Sequence, residues 1–274
     1  MLESIKKDYD PKLTMNEVGA KISHLGIKKA NTLVWQLLIL GFLAGLYISF
    51  GAHLFLVAME QGMGRIVAGA CFSVGLVFVV IAGAELFTGN ITMIVGAITF
   101  HYSFWQLLKS WIAVYIGNFI GAVLTAYLVY KSGIFGHGDA LTSMGQMAVK
   151  VADYKNALPF GEAFIRGVFC NMFVILAIIM SFFAKDVISK IICVILPITT
   201  FVAAGFEHCV ANEYLIPAGL LVKGTGFVEL GAMFHNLLPV TLGNIAGGLF
   251  IMLIHPNRLR QIVVLLAGKK KSSS

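Results

Sequence analysis

The chain has 274 residues, of which 58% are hydrophobic and 12% charged, with a mean hydropathy of +0.88. Soluble domains carry about 25% charged residues, and 13 acidic residues beside 21 Phe and 29 Gly leave too little polar surface to cover a water-soluble globule, which excludes a soluble enzyme. The net charge of +7 raises nucleic acid as a partner, but apolar spans separate the basic residues, so no nucleic-acid partner is expected.

Residues 1–30 hold Lys6, Lys7, Lys12, Lys21, Lys28 and Lys29 and no continuous apolar run, so they lack a secretory signal and are expected to be retained. Thr14 with Glu17 fits a capping box, and Met15, Val18, Ile22 and Leu25 then share one helical face. The reading is a cytoplasmic amphipathic helix lying on the membrane surface, with a soluble tether as the competing reading. The remainder divides into a transmembrane domain over 31–256 and a basic cytoplasmic tail over 257–274.

Nearly uncharged stretches run over 33–58, 66–100, 111–130, 167–184, 191–222 and 230–254. About 20 helical residues cross the hydrocarbon, so four of these fit one helix each. The second and fifth are too long for one straight helix and must bend, break or re-enter. Six spans put both termini on one side, and Arg258, Arg260, Lys269, Lys270 and Lys271 after the last span match the lysines before the first. The positive-inside rule then places both termini in the cytoplasm of a multi-pass protein of the cell's inner (plasma) membrane. Lys109, Lys185 and Lys190 fall on the same side. Cys71, Cys170, Cys193 and Cys209 all lie in apolar segments without CxxC spacing, which predicts packed thiols and neither disulfide nor metal site.

The two over-long runs carry Gly83-Ala84-Glu85-Leu86-Phe87-Thr88-Gly89-Asn90 and Gly205-Phe206-Glu207-His208-Cys209-Val210-Ala211-Asn212, with Gly, Glu and Asn at identical spacing. Gly117-Asn118 with Gly121 is echoed by Gly243-Asn244 with Gly247, so the chain reads as two three-span repeats, 33–130 and 160–254. An odd number of spans per repeat inverts the second against the first, an arrangement of transporters and channels whose broken helices line a pathway. The expected fold is an all-α membrane protein of six transmembrane helices in two inverted repeats. Gly41, Gly45, Gly117 and Gly121 form GxxxG pairs that predict close helix packing.

Glu85, Glu207, His208 and Glu213 are ionisable groups deep in apolar runs, where an unpaired charge costs about 2.5 kcal/mol or more. Glu85 and Glu207 read as braces that accept N–H groups freed by the breaks, with Asn90 and Asn212 beside them; direct substrate contact is the alternative. His208 stands where the first repeat has Leu86, and an imidazole donates to an anion or carries a proton. Thr88 is its partner across the pathway. Phe72, Leu76, Phe87 and Phe201 are candidates for hydrophobic constrictions, against plain helix packing.

Three motifs in order, AELFTGN at 84–90, GFEHCVAN at 205–212 and HNLLPVTLGNIAGG at 235–248, resemble the signatures of the formate/nitrite transporter family over essentially all six spans. The resemblance implies an aquaporin-like fold assembled as a homopentamer, each protomer passing small monovalent anions: formate, nitrite, hydrosulfide, lactate or acetate. It implies that His208 is the family's central histidine, Thr88 the threonine of its bent loop, Lys155 its outer-vestibule lysine and Asn171 its pore-lining asparagine, and it gives the Phe and Leu positions above their role as slits. Where many relatives have methionine after the Ala-Asn pair this chain has Glu213, placed against a neighbouring protomer or a vestibule.

The expected function is passage of weak-acid anions, formate first, passively or linked to protons, in the lipid bilayer and without cofactor. The alternative is a neutral-solute pore of the aquaporin or urea-channel type. An intramembrane enzyme is disfavoured, since no GxSxG, HExxH or paired catalytic aspartates occur.

Overall fold

A computed structural model describes residues 15–138, 140–225 and 230–254. Eleven α-helices occur among the described residues. The basic tail, the first lysines and the Thr14 cap lie outside them.

The first helix, α1, spans Met15–Asn31. Val18, Ile22 and Ala30 are buried while Lys21, His24 and Lys28 are exposed. Instead of resting its apolar face on lipid, α1 covers it with the protein's own short helix Ile94–Ile98 and the start of Phe104–Lys131. A β-carbon at Gly26 would stand 2.6 Å from the Tyr102 hydroxyl, so glycine lets the helix seat there. Tyr102 donates to the carbonyl of Met93, and burial raises its hydroxyl pKa, keeping it a donor. Lys109 Nζ donates to the carbonyls of Ala30 at 2.9 Å and Thr32 at 3.3 Å, closing the helix's C-terminal end.

Next come α2 (Val34–Glu60) and α3 (Gly64–Ala82). Helical pairing stops at Gly83, whose φ of 80° suits a residue without a side chain. Leu86 is extended, and the chain resumes as α4 (Phe87–Asn90), a 3₁₀ turn (Ile91–Met93) and α5 (Ile94–Ile98). Helix α6 (Phe104–Lys131) opens with a Ser103/Gln106 capping box and leads to a two-residue hairpin, β1 (Gly136–His137) with β2 (Ala140–Leu141).

The second half follows the same order: α7 (Ser143–Asn156), α8 (Phe160–Phe183), α9 (Val187–Ala203), an interruption with Gly205 at φ 81°, then α10 (Cys209–Lys223) and α11 (Leu230–Ile254). Among the described residues, five helices are long and apolar enough to cross a membrane: α2, α3, α6, α8 and all but the first residue of α11. The 191–222 run is divided between α9 and α10, neither of which reaches that length.

Helices α2 and α6 approach through glycine, as do α8 and α11. A β-carbon at Gly41 would meet the Val114 carbonyl at 2.8 Å, and one at Gly167 would meet the Val240 carbonyl at 2.7 Å. At Gly121 and Gly247 it would overlap the carbonyls of Phe42 and Val168. These contacts are backbone on backbone, so nothing flexible can yield. The GxxxG pairs of the sequence therefore serve packing, as read.

The packing predicts that Gly121→Val lowers thermal stability in detergent by at least about 1–3 kcal/mol. Gly161→Ala, at a site with nothing within 4 Å, should leave the melting temperature unchanged. Equal melting temperatures for the two variants would contradict the packing argument.

Candidate functional site

Each interruption strands backbone groups inside an apolar protein, where an unmade hydrogen bond is costly. One asparagine answers each. Asn118 Oδ1 accepts the Phe87 N–H at 2.9 Å while its amide donates to the carbonyls of Glu85 (3.0 Å) and Gly41 (2.7 Å). Asn244 does the same for Cys209 N–H (2.9 Å) and the carbonyls of Glu207 (3.0 Å) and Gly167 (2.8 Å). The Glu85 and Glu207 N–H groups go to the carbonyls of Leu40 and Arg166. The glutamate side chains therefore do not accept the freed N–H groups, contrary to the sequence reading. That work falls to Asn118 and Asn244, which the sequence marked as repeat positions without a role.

The carboxylates meet lysines instead. Glu85 Oε2 lies 2.8 Å from Lys29 Nζ, which also donates to Asn90 Oδ1 at 2.6 Å. Glu207 Oε2 lies 2.8 Å from Lys155 Nζ and accepts from Asn212 Nδ2 at 2.7 Å. Asn212 also donates to Asn236 Oδ1, and Asn236 Nδ2 donates to the Lys155 carbonyl, fixing the second cluster to α7 and α11. Lys29 and Lys155 stand 126 residues apart, the spacing of Asn118 and Asn244. That spacing is the signal in the sequence that points to Lys29. Lys155 is buried in its pair with Glu207 and also lines a cavity beside it.

The two interruptions meet at Thr88 and His208. Thr88 Oγ1 is 3.0 Å from His208 Nε2, with both residues buried. His208 is also the N-cap of α10: its Nδ1 accepts the Ala211 N–H at 3.1 Å. The hydrogen-bond network thus assigns the imidazole proton to Nε2, which donates to Thr88 and leaves the threonine hydroxyl hydrogen for another acceptor. Phe201 stacks on the imidazole, centroids 6.0 Å apart, and Phe72 meets Phe201 edge-on at 5.8 Å.

Above them opens a cavity of about 240 Å³. Phe72, Phe201 and His208 close one end, and Arg65, Lys150, Lys155 and Glu207 supply its charged lining. Leu76 and Phe87 are buried but do not line it; the Phe87 ring packs edge-on against Tyr115 at 4.9 Å and Trp111 at 6.1 Å. Asn171 does not line it either. Its amide is committed to the carbonyls of Thr88 (3.3 Å) and Asn244 (2.7 Å), so it supports the threonine from behind.

Glu213 faces neither a neighbouring protomer nor a vestibule. It is fully buried on the far face of α10, and neither carboxyl oxygen has a hydrogen-bond partner within 3.5 Å among the described residues. Cys209 and Tyr115 are its polar neighbours, and the Tyr115 hydroxyl is 3.0 Å from Thr241 Oγ1. The four cysteines are free thiols.

Comparison with known proteins follows the same lines. The family model described as formate/nitrite transporter matches residues 16–256. The chain is 32% identical over 271 residues to the formate channel FocA of Escherichia coli (strain K12), covering 89% of this chain and 93% of that one. It is 39% identical over 233 residues to a probable formate transporter of Methanothermobacter thermautotrophicus, covering 78% and 84%. Among solved structures it resembles an FNT family ion channel (TM-score 0.79, 27% identity, 86% and 96% covered). It also resembles a pentameric formate channel with formate bound (TM-score 0.67, 30% identity, 78% and 92% covered).

Two stability predictions follow from the charges. Lys155→Gln leaves Glu207 buried without its cation and should cost about 3–5 kcal/mol, whereas Lys155→Met with Glu207→Leu should recover most of that loss in thermal unfolding in detergent. Glu213→Met removes an unpartnered carboxyl at similar volume and should raise stability by about 1–3 kcal/mol; a lower melting temperature would show that the carboxyl has a partner.

Proposed function

The chain belongs to the formate/nitrite transporter family, and on that footing we propose that it passes small monovalent weak-acid anions, formate foremost, through a pathway running between the two interruptions. The observation that carries this reading is the Thr88 to His208 contact at 3.0 Å, made by residues 120 positions apart at the closed end of a cation-lined cavity. Two hydroxyl or imidazole donors at one point suit a small oxyanion or its acid. Nitrite and hydrosulfide belong to the same chemical class, as do lactate and acetate.

The apolar rings of Phe72 and Phe201 stand beside His208 in the cavity wall. A bare anion entering there exchanges water for a medium of low dielectric, at a cost that two hydrogen bonds do not offset. Formate that takes up a proton on the cavity side becomes formic acid, which crosses the apolar stretch uncharged and releases the proton on the far side. Thr88 Oγ1–H then supplies a donor to one of its oxygens midway, and His208 Nε2–H supplies a second when it exchanges Thr88 for the acid. His208 keeps Nδ1 on the Ala211 N–H throughout, so it acts as a fixed donor unless that cap opens. Asn171 acts by holding Thr88.

The matching Asn, Glu and Lys arrangements of the two halves support a two-repeat origin, inverted because each half crosses the membrane an odd number of times. The relative that is a pentameric formate channel supports a homopentamer with one pathway per protomer. The basic termini of the sequence support a cytoplasmic location for both ends in the plasma membrane.

Proteoliposomes loaded at fixed internal pH test the reading. Formate uptake by the unaltered protein should rise as external pH falls, and Thr88→Val should reduce it about tenfold, the factor of one hydrogen bond worth about 1.4 kcal/mol. His208→Phe should change the pH profile. Flux of water or glycerol without formate flux would replace the proposal by a neutral-solute pore.

A further inference from the structure

The cavity above Phe72 and Phe201 holds more positive charge than its architecture consumes. Its acidic lining residue, Glu207, is paired with Lys155 at 2.8 Å. The carboxylates on neighbouring segments are also engaged: Asp153 with Lys223 at 2.5 Å and Glu162 with Arg166 at 3.0 Å, while Glu60 accepts the Ser143 hydroxyl at 2.5 Å. Arg65 and Lys150 line the same cavity, are exposed, and make no ion pair among the described residues.

They come from different elements, Arg65 from the first turn of α3 and Lys150 from the middle of α7. Gly62 and Gly64, at φ 70° and 77°, turn the chain so that α3 begins at the cavity rim. The Arg65 guanidinium then lies over the second interruption, where a β-carbon on Gly205 would stand 3.4 Å from Nη1. Tyr154, also in the lining, accepts a hydrogen bond from Arg166.

We propose that Arg65 and Lys150 form an anion-collecting subsite at the cavity mouth, selective for small planar oxyanions, with Arg65 binding the two oxygens and Lys150 supplying charge. The inference rests on the transport reading for its role in flux but not for binding. A guanidinium presents parallel N–H donors that match a carboxylate or nitrite, a match that an ammonium lacks and hydrosulfide cannot use. Both groups are hydrated, so the hold is weak, as a conducting pathway requires. The steering charge implied for Lys155 passes to these two residues, because Lys155 is already neutralised.

The test combines binding and flux. Purified unaltered protein in detergent is treated with phenylglyoxal, and modification of Arg65 is followed by mass spectrometry; millimolar formate should protect it and equal hydrosulfide should not. In proteoliposomes at 0.01 M ionic strength, where screening extends over about 30 Å, Arg65→Gln should raise the half-saturating formate concentration about five- to tenfold with maximal flux unchanged. Lys150→Gln should raise it about threefold and lose its effect at 0.5 M salt. Arg65→Lys should restore hydrosulfide uptake but not formate affinity. Absence of protection by formate, or Arg65→Lys matching the unaltered protein for both anions, overturns the proposal. Protection without any anion flux would keep the subsite and remove the transport reading.

Discussion

Everything in this molecule depends on stopping two helices inside an apolar body without abandoning their backbone hydrogen bonds. Water is excluded there, so each stranded N–H and C=O needs a partner from the protein. Asn118 and Asn244 meet that need, each joining one N–H to two carbonyls, and each sits on a helix that glycine allows to lie against its neighbour. Close packing and the interruptions are therefore one design. Without the small residues at Gly41, Gly117, Gly167 and Gly243, neither asparagine would reach the carbonyls it holds.

On that common frame the halves diverge. After the first interruption the chain makes only α4, a 3₁₀ turn and α5; after the second it makes the fifteen-residue α10. The difference begins at one position, Leu86 against His208. An extended histidine caps a helix through Nδ1, as leucine cannot, and in doing so aims Nε2 at Thr88. One residue thus continues the backbone and supplies the polar contact at the centre of the site. Asn90, the counterpart of Asn212, turns to Lys29 and so joins the first interruption to the docked α1.

The electrostatics show why counting charges along the chain says little about which of them act. Glu85 and Glu207 were recognisable as ionisable residues in apolar runs, and recognisably repeated. Their partners were not. Lys29 lies 56 residues before Glu85, and Lys155 lies 52 before Glu207, in segments that composition alone assigns to the surface. Once those pairs form, Lys155 ceases to be an open charge and Arg65 and Lys150 remain. Glu213 is the reverse case, an acid visible in the sequence whose surroundings supply no cation among the described residues.

The sequence by itself determined the solvent, since its composition belongs in lipid. It determined the family through three ordered motifs, and it marked Thr88 and His208 as polar residues that the two repeats do not share. These properties are local or periodic, and a linear string retains them. Tertiary structure decided the rest: which side chain satisfies which backbone group, that α1 buries its apolar face on the protein, that the Asn171 amide reaches the Thr88 and Asn244 carbonyls, and which cations are left at the cavity. The physical reason is that a hydrogen bond or ion pair in an apolar interior is worth making only between groups the fold brings within about 3 Å, and spacing along the chain does not contain that distance.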